Sequence, residues 1–174
     1  MGYENFYKDV LEAYKLIIRD YYFTYEVNNP NYSIELKNNS ILLSFSLDYL
    51  DLKTVFINPK DDKGKEYWIG IFINIYAFSN NKNIENYVYN SANPIENIKE
   101  TLNFQADLLH KMAPSLFTGN FTWVEKYNQF EDNEKYIYKT LGREFSPSHP
   151  VYKKFIANDE SWKEDILKFK NDIS

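Results

Sequence analysis

The sequence predicts an α+β domain: an antiparallel meander sheet of four to five strands, preceded by one helix and followed by several packing helices. Runs of β-branched and aromatic residues separated by short turns occupy residues 20–78, and helical periodicity lies on either side of them. Strands joined by short connections pair antiparallel, and segregated helices are typical of the α+β class. Because no internal repeat or long linker divides the 174 residues, we expect a single domain over 1–174.

The N-terminal part of the chain predicts one helix and then most of the strands. Apolar residues recur at helical spacing over 4–19. The following strands are predicted over 20–27, 32–37, 40–47 and 54–58. The second and third strands form a hairpin around Asn38 and Asn39. Because Asn tolerates a positive φ, a type I′ turn with positive φ at both residues is expected there.

The longest apolar run, YWIGIFINIYAF over 67–78, follows a turn over 59–64 and is predicted to be the central strand of the sheet. Both of its alternating faces are largely apolar, which favours a strand covered on both sides. A membrane span needs about 20 apolar residues, so this run is too short to be one.

A long helix is predicted over 94–113, after a polar connection over 80–93. Asn93 suits the N-cap, Pro94 suits the first helical position, and an apolar stripe runs along the segment. Gly119 is a candidate for a left-handed cap residue beyond its end.

Shorter helices are predicted in the last third of the chain. Helical spacing favours one helix over 121–130, and a second is expected to begin at Asp132 and end near Leu141. A short helix follows a Pro-rich loop that contains His149. Asn158 is expected to cap the last helix.

Composition and charge exclude several classes of function. The net charge is −5, and Arg19 and Arg143 are the two arginines of the chain. Nucleic-acid binding is therefore not expected, whereas an acidic chain suits a basic protein partner. The absence of Cys excludes disulfides, thiol catalysis and Cys-based zinc sites. The first 20 residues read as an amphipathic segment rather than a signal peptide, so we expect a cytoplasmic, bacterial protein without membrane association.

No catalytic residue, metal site or cofactor is predicted. His110 lies at the border of the long helix's apolar stripe and His149 in a loop, so they read as a boundary residue and as a loop or cap residue. The chain contains no Gly-rich phosphate loop, nucleophile elbow or zinc-protease motif. Its carboxylates cluster in predicted turns and first helical turns, where acidic residues cap and solvate.

The stretch LNFQADLLHKMAPSLFTGNFTW, over 102–123, resembles segments of small bacterial immunity proteins, which neutralise polymorphic or contact-dependent toxins. The resemblance consists of a long helix, a Pro-containing end, and Gly-Asn-Phe before a Trp helix. It implies a non-enzymatic, cytoplasmic protein-binding module that inhibits a toxin domain. These proteins share no catalytic signature, so the resemblance carries over no functional residue.

Two clusters that combine carboxylates with an aromatic residue are predicted to bind the partner. Acidic groups steer association and aromatic side chains supply buried area, and toxins that cleave nucleic acid present basic clefts. The first cluster is Asp61, Asp62 and Glu66 beside Tyr67; the second is Glu131, Asp132 and Glu134 beside Tyr136. The alternative is that both are solvated turns.

A second hypothesis for the function also follows from the sequence. An α+β domain can bind a small molecule or catalyse a reaction in a pocket between sheet and helices. His110 and nearby Tyr residues would then be its polar groups.

Overall fold

The computed structural model describes residues 3–48, 51–60, 64–79 and 94–173. These residues form two compact units. The sheet unit holds the described residues up to Gly70 and from Pro94 to Phe121, and the helical unit holds Ile71 to Ser79 and those from Thr122 onward. The single domain expected over 1–174 stays a prediction.

The elements follow the chain in a simple order. The strands are β1 Thr24–Asn29, β2 Ser33–Lys37, β3 Leu42–Asp48, β4 Asp51–Ile57 and β5 Glu66–Trp68. The first four helices are α1 Phe6–Ala13, α2 Lys15–Asp20, α3 Ile69–Ser79 and α4 Pro94–Met112, the last followed by a 3₁₀ turn, Pro114–Thr118. The remaining helices are α5 Val124–Leu141, α6 Pro150–Ile156 and α7 Trp162–Ile173, with a second 3₁₀ turn, Gly142–Glu144, after α5.

The predicted α+β meander is confirmed. The strands lie in the order β1-β2-β3-β4-β5, and each is antiparallel to its neighbours. Leu43 of β3 lies opposite Leu36 of β2 and Phe56 of β4, and Phe56 lies opposite Tyr67 of β5. All four side chains are buried, so one face of the sheet faces the core.

Helix α4 begins at Pro94 as predicted, ends one residue before the predicted 113, and has the buried stripe that its sequence predicts. Leu102 and Leu109 of α4 are fully buried, and Gln105 is buried between them. The Gln105 Oε1 accepts hydrogen bonds from Thr54 Oγ1 on β4, at 3.1 Å, and from the Tyr14 hydroxyl, at 3.5 Å. One amide oxygen therefore joins α4 to the sheet and to the junction between α1 and α2, and no buried hydroxyl of this group is left unsatisfied.

The central strand predicted over 67–78 is wrong. The strand ends at Trp68, it lies at the edge of the sheet, and helix α3 begins at Ile69. Ile69, Phe72 and Ile73 are buried at helical spacing. A run that is apolar on all sides is compatible with a buried helix as well as a buried strand, and periodicity alone cannot separate the two.

The type I′ turn predicted at Asn38 and Asn39 is also wrong. Neither residue has a positive φ, and the connection runs from Asn38 to Ile41. The Asn38 Oδ1 accepts hydrogen bonds from the backbone amides of Ser40, at 2.8 Å, and Ile41, at 3.0 Å. The side chain thus builds the turn in place of left-handed backbone geometry.

The N-terminal elements differ from the prediction at one residue and at one boundary. The helix expected over 4–19 is present as α1 and α2, with Tyr14 between them. Tyr14 is buried, and its ring packs 4.8 Å from that of Phe45. The first strand begins at Thr24 and not at residue 20 as predicted. Residues 21–23 close the end of α2, where the Phe23 amide donates a hydrogen bond to Ile18 O at 3.0 Å.

In the helical unit, one long helix replaces two short ones. Helix α5 runs unbroken from Val124 to Leu141, with Asp132 exposed in its middle. Asn158 does not cap the last helix; it has φ 55° and ends α6. Instead, Asp159 Oδ1 accepts from the Ser161 amide at 3.0 Å before α7. The core of this unit consists of Ile137, Leu141, Val151, Phe155, Trp162 and Ile166.

Some predictions lie outside the described residues: the connection over 80–93, the cap at Asn93 and the centre of the turn over 59–64. Within the ranges that are described, none of the helices has both the length and the apolarity that crossing a membrane requires.

The corrected start of α3 predicts opposite effects for the same substitution at two glycines. A Cβ added at Gly70, in the first turn of α3, or at Gly64, with φ 58°, meets no atom within 4 Å. Gly70→Ala should stabilise the fold by about 0.5–1 kcal/mol because Ala favours helix. Gly64→Ala should destabilise it by about 1 kcal/mol because a left-handed backbone disfavours a Cβ. Urea unfolding measures both, and equal signs would contradict a helix beginning at Ile69.

Candidate functional site

The first predicted cluster is only partly described and is not built as expected. Asp61 and Asp62 lie outside the described residues. Glu66 is exposed, and its Oε2 lies 2.6 Å from Lys53 Nζ. Tyr67 is 5% exposed and packs in the core, whereas Trp68 is 47% exposed. Glu66 and Trp68 share a face because successive side chains of a strand alternate, so Trp68 is the aromatic residue beside Glu66.

The second predicted cluster lies on α5, and its members face different directions. Asp132 and Tyr136 are four residues apart, which places them on one side of the helix, and Tyr136 is 41% exposed. Glu131 and Glu134 lie on a neighbouring side. Glu134 Oε1 accepts a hydrogen bond from the Tyr152 hydroxyl of α6 at 2.7 Å.

Glu134 belongs to an open aromatic groove of about 460 Å³. The residues of this groove, called the aromatic groove below, are Glu134, Lys135, Tyr138, Phe145, Pro147 and Tyr152. The ring centroids of Tyr138 and Phe145 are 4.9 Å apart at 64° between planes, and those of Phe145 and Tyr152 are 5.1 Å apart at 77°. Tyr138 is 60% exposed. Sequence reasoning found Glu134 but missed the three rings.

The local sequence explains how the three rings come together. Gly142, with φ 54°, ends α5, and the Pro-rich loop leads into α6. His149 caps α6, since its Nδ1 accepts from the Val151 amide at 3.2 Å, and Pro150 takes the first helical position. Tyr138 on α5, Phe145 in the connection and Tyr152 on α6 therefore line one groove. His149 was expected to be either a loop residue or a helix cap, and the cap is confirmed.

The hydroxyl of Tyr152 is held in its neutral form. Its burial and its hydrogen bond to Glu134 raise the pKa of Tyr152 well above its ordinary value. The phenol therefore remains a donor to the Glu134 carboxylate. A carboxylate offers about four acceptor positions, so this one bond leaves Glu134 able to accept from a second donor.

The sheet unit has a separate cleft of about 480 Å³, called the Tyr22 cleft below. Its lining includes Asp20, Tyr22, Lys37, Asn38, Ser40 and Phe117. Asp20 Oδ1 lies 2.7 Å from Arg19 Nε, and Asp20 Oδ2 lies 3.1 Å from His110 Nε2. The hydrogen bond from Arg19, helped by that from His110, lowers the pKa of Asp20. The carboxylate of a histidine–carboxylate pair thus lines this cleft.

Tyr22 has an unusual backbone for its residue type. It follows α2 with φ 55°, and the bond from the Phe23 amide to Ile18 O closes the helix end around it. Glycine usually takes this left-handed position because a Cβ is disfavoured there. The Tyr22 side chain is 87% exposed, so no burial of the ring offsets the backbone strain.

Comparisons with protein-family models, curated proteins and solved structures find no match to this chain. Among the described residues, no group of three or more His, Cys, Asp or Glu side chains could hold a metal ion.

Replacing Tyr22 by Gly should stabilise the protein. Removing the Cβ from a left-handed residue relieves strain, and the exposed ring contributes little packing, so we expect a gain of about 0.5–1 kcal/mol. Asn158→Gly is the matched control, because Asn158 also ends a helix with φ 55° but Asn tolerates this geometry. Urea unfolding should show a clearly larger gain at Tyr22, and a loss there would mean that the ring stabilises the fold.

The raised pKa of Tyr152 gives a signature at alkaline pH. In a titration of phenolate absorbance, Tyr152→Phe should remove a tyrosine that ionises at higher pH than tyrosine ordinarily does. Because the folded pKa is raised, the stability from the bond to Glu134 is complete below the ordinary tyrosine pKa of about 10 and is lost as the pH rises beyond it. Loss of an early-titrating group in Tyr152→Phe would show that the bond to Glu134 is absent in solution.

Proposed function

We propose that the chain is a non-enzymatic protein-binding module, an immunity protein that neutralises a toxin domain in the bacterial cytoplasm. The observation that carries the proposal is the aromatic groove, in which exposed Tyr138 lies beside Phe145, Tyr152 and the carboxylate of Glu134. Tyrosine is enriched among the residues that dominate binding energy at protein interfaces.

Charge supports the same proposal. The chain carries a net charge of −5, and Glu131, Asp132 and Glu134 follow one another closely on α5, with Glu134 lining the groove. A toxin that acts on nucleic acid needs a basic cleft to hold phosphates, so an acidic inhibitor attracts it at long range. The aromatic rings would then supply buried contact area at short range.

A second function is favoured by a different observation. Asp20 lines the Tyr22 cleft and pairs with His110, and a histidine–carboxylate pair is suited to accept or donate a proton. The cleft lies by the end of α2, the β2–β3 loop and the 3₁₀ turn after α4. Small-molecule binding or catalysis in this cleft corresponds to the second hypothesis from the sequence, in which His110 is one of the polar groups.

The test is capture of a toxin encoded next to the gene for this chain, followed by association kinetics at several ionic strengths. Salt should slow association steeply if charge steers it. Neutralising the α5 cluster with Glu131→Gln, Asp132→Asn and Glu134→Gln should flatten that dependence. Tyr138→Ala should mainly speed dissociation, because an anchor acts after encounter.

Three matched variants separate the possibilities. Tyr25→Ala removes an exposed tyrosine of the sheet unit and should leave both rates unchanged. Neutralising Asp61, Asp62 and Glu66 tests the first cluster in the same assay. His110→Ala should leave toxin neutralisation intact; loss of it, with unchanged α5 variants, would mean that the toxin binds at the Tyr22 cleft and not at the aromatic groove. Unchanged rates in both cluster variants would contradict the acidic-surface proposal.

A further inference from the structure

The aromatic groove has the geometry of a cation site. The three rings stand at 64° and 77° to their neighbours, so they form adjacent walls rather than a flat stack. A cation is attracted when it lies over a ring within about 6 Å of the centroid. Neighbouring centroids are 4.9 and 5.1 Å apart, so one cation can lie within that reach of two rings.

A carboxylate lies beside these walls. Glu134 Oε1 receives the Tyr152 hydroxyl at 2.7 Å, which fixes the position of the carboxylate and leaves Oε2 for another donor. A positively charged donor in the groove would therefore meet both ring faces and an anionic acceptor. An apolar occupant would satisfy the rings alone, and an anion would be repelled by Glu134.

The chain already uses the same chemistry elsewhere. Among the described residues, lysine ammonium groups lie over the rings of Tyr67 at 5.1 Å and Trp68 at 5.2 Å. Within this described part of the chain, no lysine of its own is placed over the rings of Tyr138, Phe145 or Tyr152. No lysine of the described ranges therefore competes for these ring faces with a cation from outside the chain.

We propose that the aromatic groove binds an arginine side chain of the partner, an inference that rests on the proposed function and names the chemistry its partner presents. Guanidinium stacks on aromatic faces, and its several N–H donors can still reach a carboxylate from that position. It also sheds its weaker hydration more readily than an ammonium group does. A basic toxin surface is a source of such side chains.

Lys135 provides the sharpest control, because it is the one cationic group among the groove's lining residues. Its charge opposes a bound arginine. Removing it should therefore tighten binding of a cation, whereas it would weaken binding of an anion. Glu134→Gln should act in the opposite direction to Lys135→Gln.

The experiment uses the intact chain with labelled tyrosine rings and follows their NMR signals during titration with a capped arginine amide. Capped citrulline amide has nearly the same shape without the charge and serves as the neutral probe. We expect saturable shifts of Tyr138 and Tyr152 with arginine and none with citrulline. Tyr138→Ala should raise the Kd for arginine by roughly threefold or more.

The variants complete the test. Glu134→Gln should weaken arginine binding, Lys135→Gln should tighten it, and Tyr25→Ala, which removes an exposed tyrosine of the sheet unit outside the groove, should leave it unchanged. Equal shifts with citrulline would overturn the cation site, as would weaker binding in Lys135→Gln. Equal affinity for capped lysine amide would overturn the choice of arginine.

The two proposals fail in different ways. If capped arginine binds as expected but no toxin is captured, the proposed function fails and the cation site stands. If the toxin is neutralised and Tyr138→Ala does not change its dissociation, the function stands and the role of the groove in it is wrong.

Discussion

The side chain of Asn38 is the constraint on which the sheet unit's surface depends. Its Nδ2 donates to the carbonyl of Tyr21 at 3.1 Å and to that of Phe117 at 3.0 Å, while its Oδ1 accepts from the amides of Ser40 and Ile41. All four hydrogen-bonding positions of the amide are therefore filled. One side chain holds the β2–β3 loop against the end of α2 and the 3₁₀ turn after α4.

Gly119 completes the same contact from the other side. It has φ 87°, as its predicted role as a left-handed cap requires, and a Cβ added there would lie 3.3 Å from Ser40 Cβ. Both its conformation and its close approach to the loop favour glycine. The walls of the Tyr22 cleft are thus fixed by two local features, a saturated amide and a glycine, rather than by apolar packing alone.

Predictions from the sequence succeeded where the signal was local. The meander follows from short connections, and α4 follows from Pro94 and a continuous apolar stripe. They failed at 67–78, because a run apolar on every side does not distinguish a buried helix from a buried strand. The prediction of a type I′ turn at Asn38 failed for another reason. Two hydrogen bonds of the Asn38 side chain reach Tyr21 and Phe117, which are distant in sequence.

The candidate site shows the same limit. Glu134 could be singled out as part of an acidic cluster, but Phe145 and Tyr152 reach it from a loop and from another helix, without any common spacing in the sequence. Tyr67 and Trp68 could have been separated by strand alternation, since only one of them shares a face with Glu66. The sequence did not reveal that β5 ends at Trp68, because the apolar run continues without a break to residue 78.

The two residues with φ 55° differ in how well their residue types suit the left-handed conformation. At the end of α6 it places Asn158, a residue that tolerates the left-handed conformation, and at the end of α2 it places Tyr22, which does not. Nothing among the described contacts of the exposed Tyr22 ring offsets that strain. Strain that the fold does not require is commonly found at binding sites. The Tyr22 cleft therefore remains the strongest physical reason to consider a second activity, independent of the aromatic groove on the helical unit.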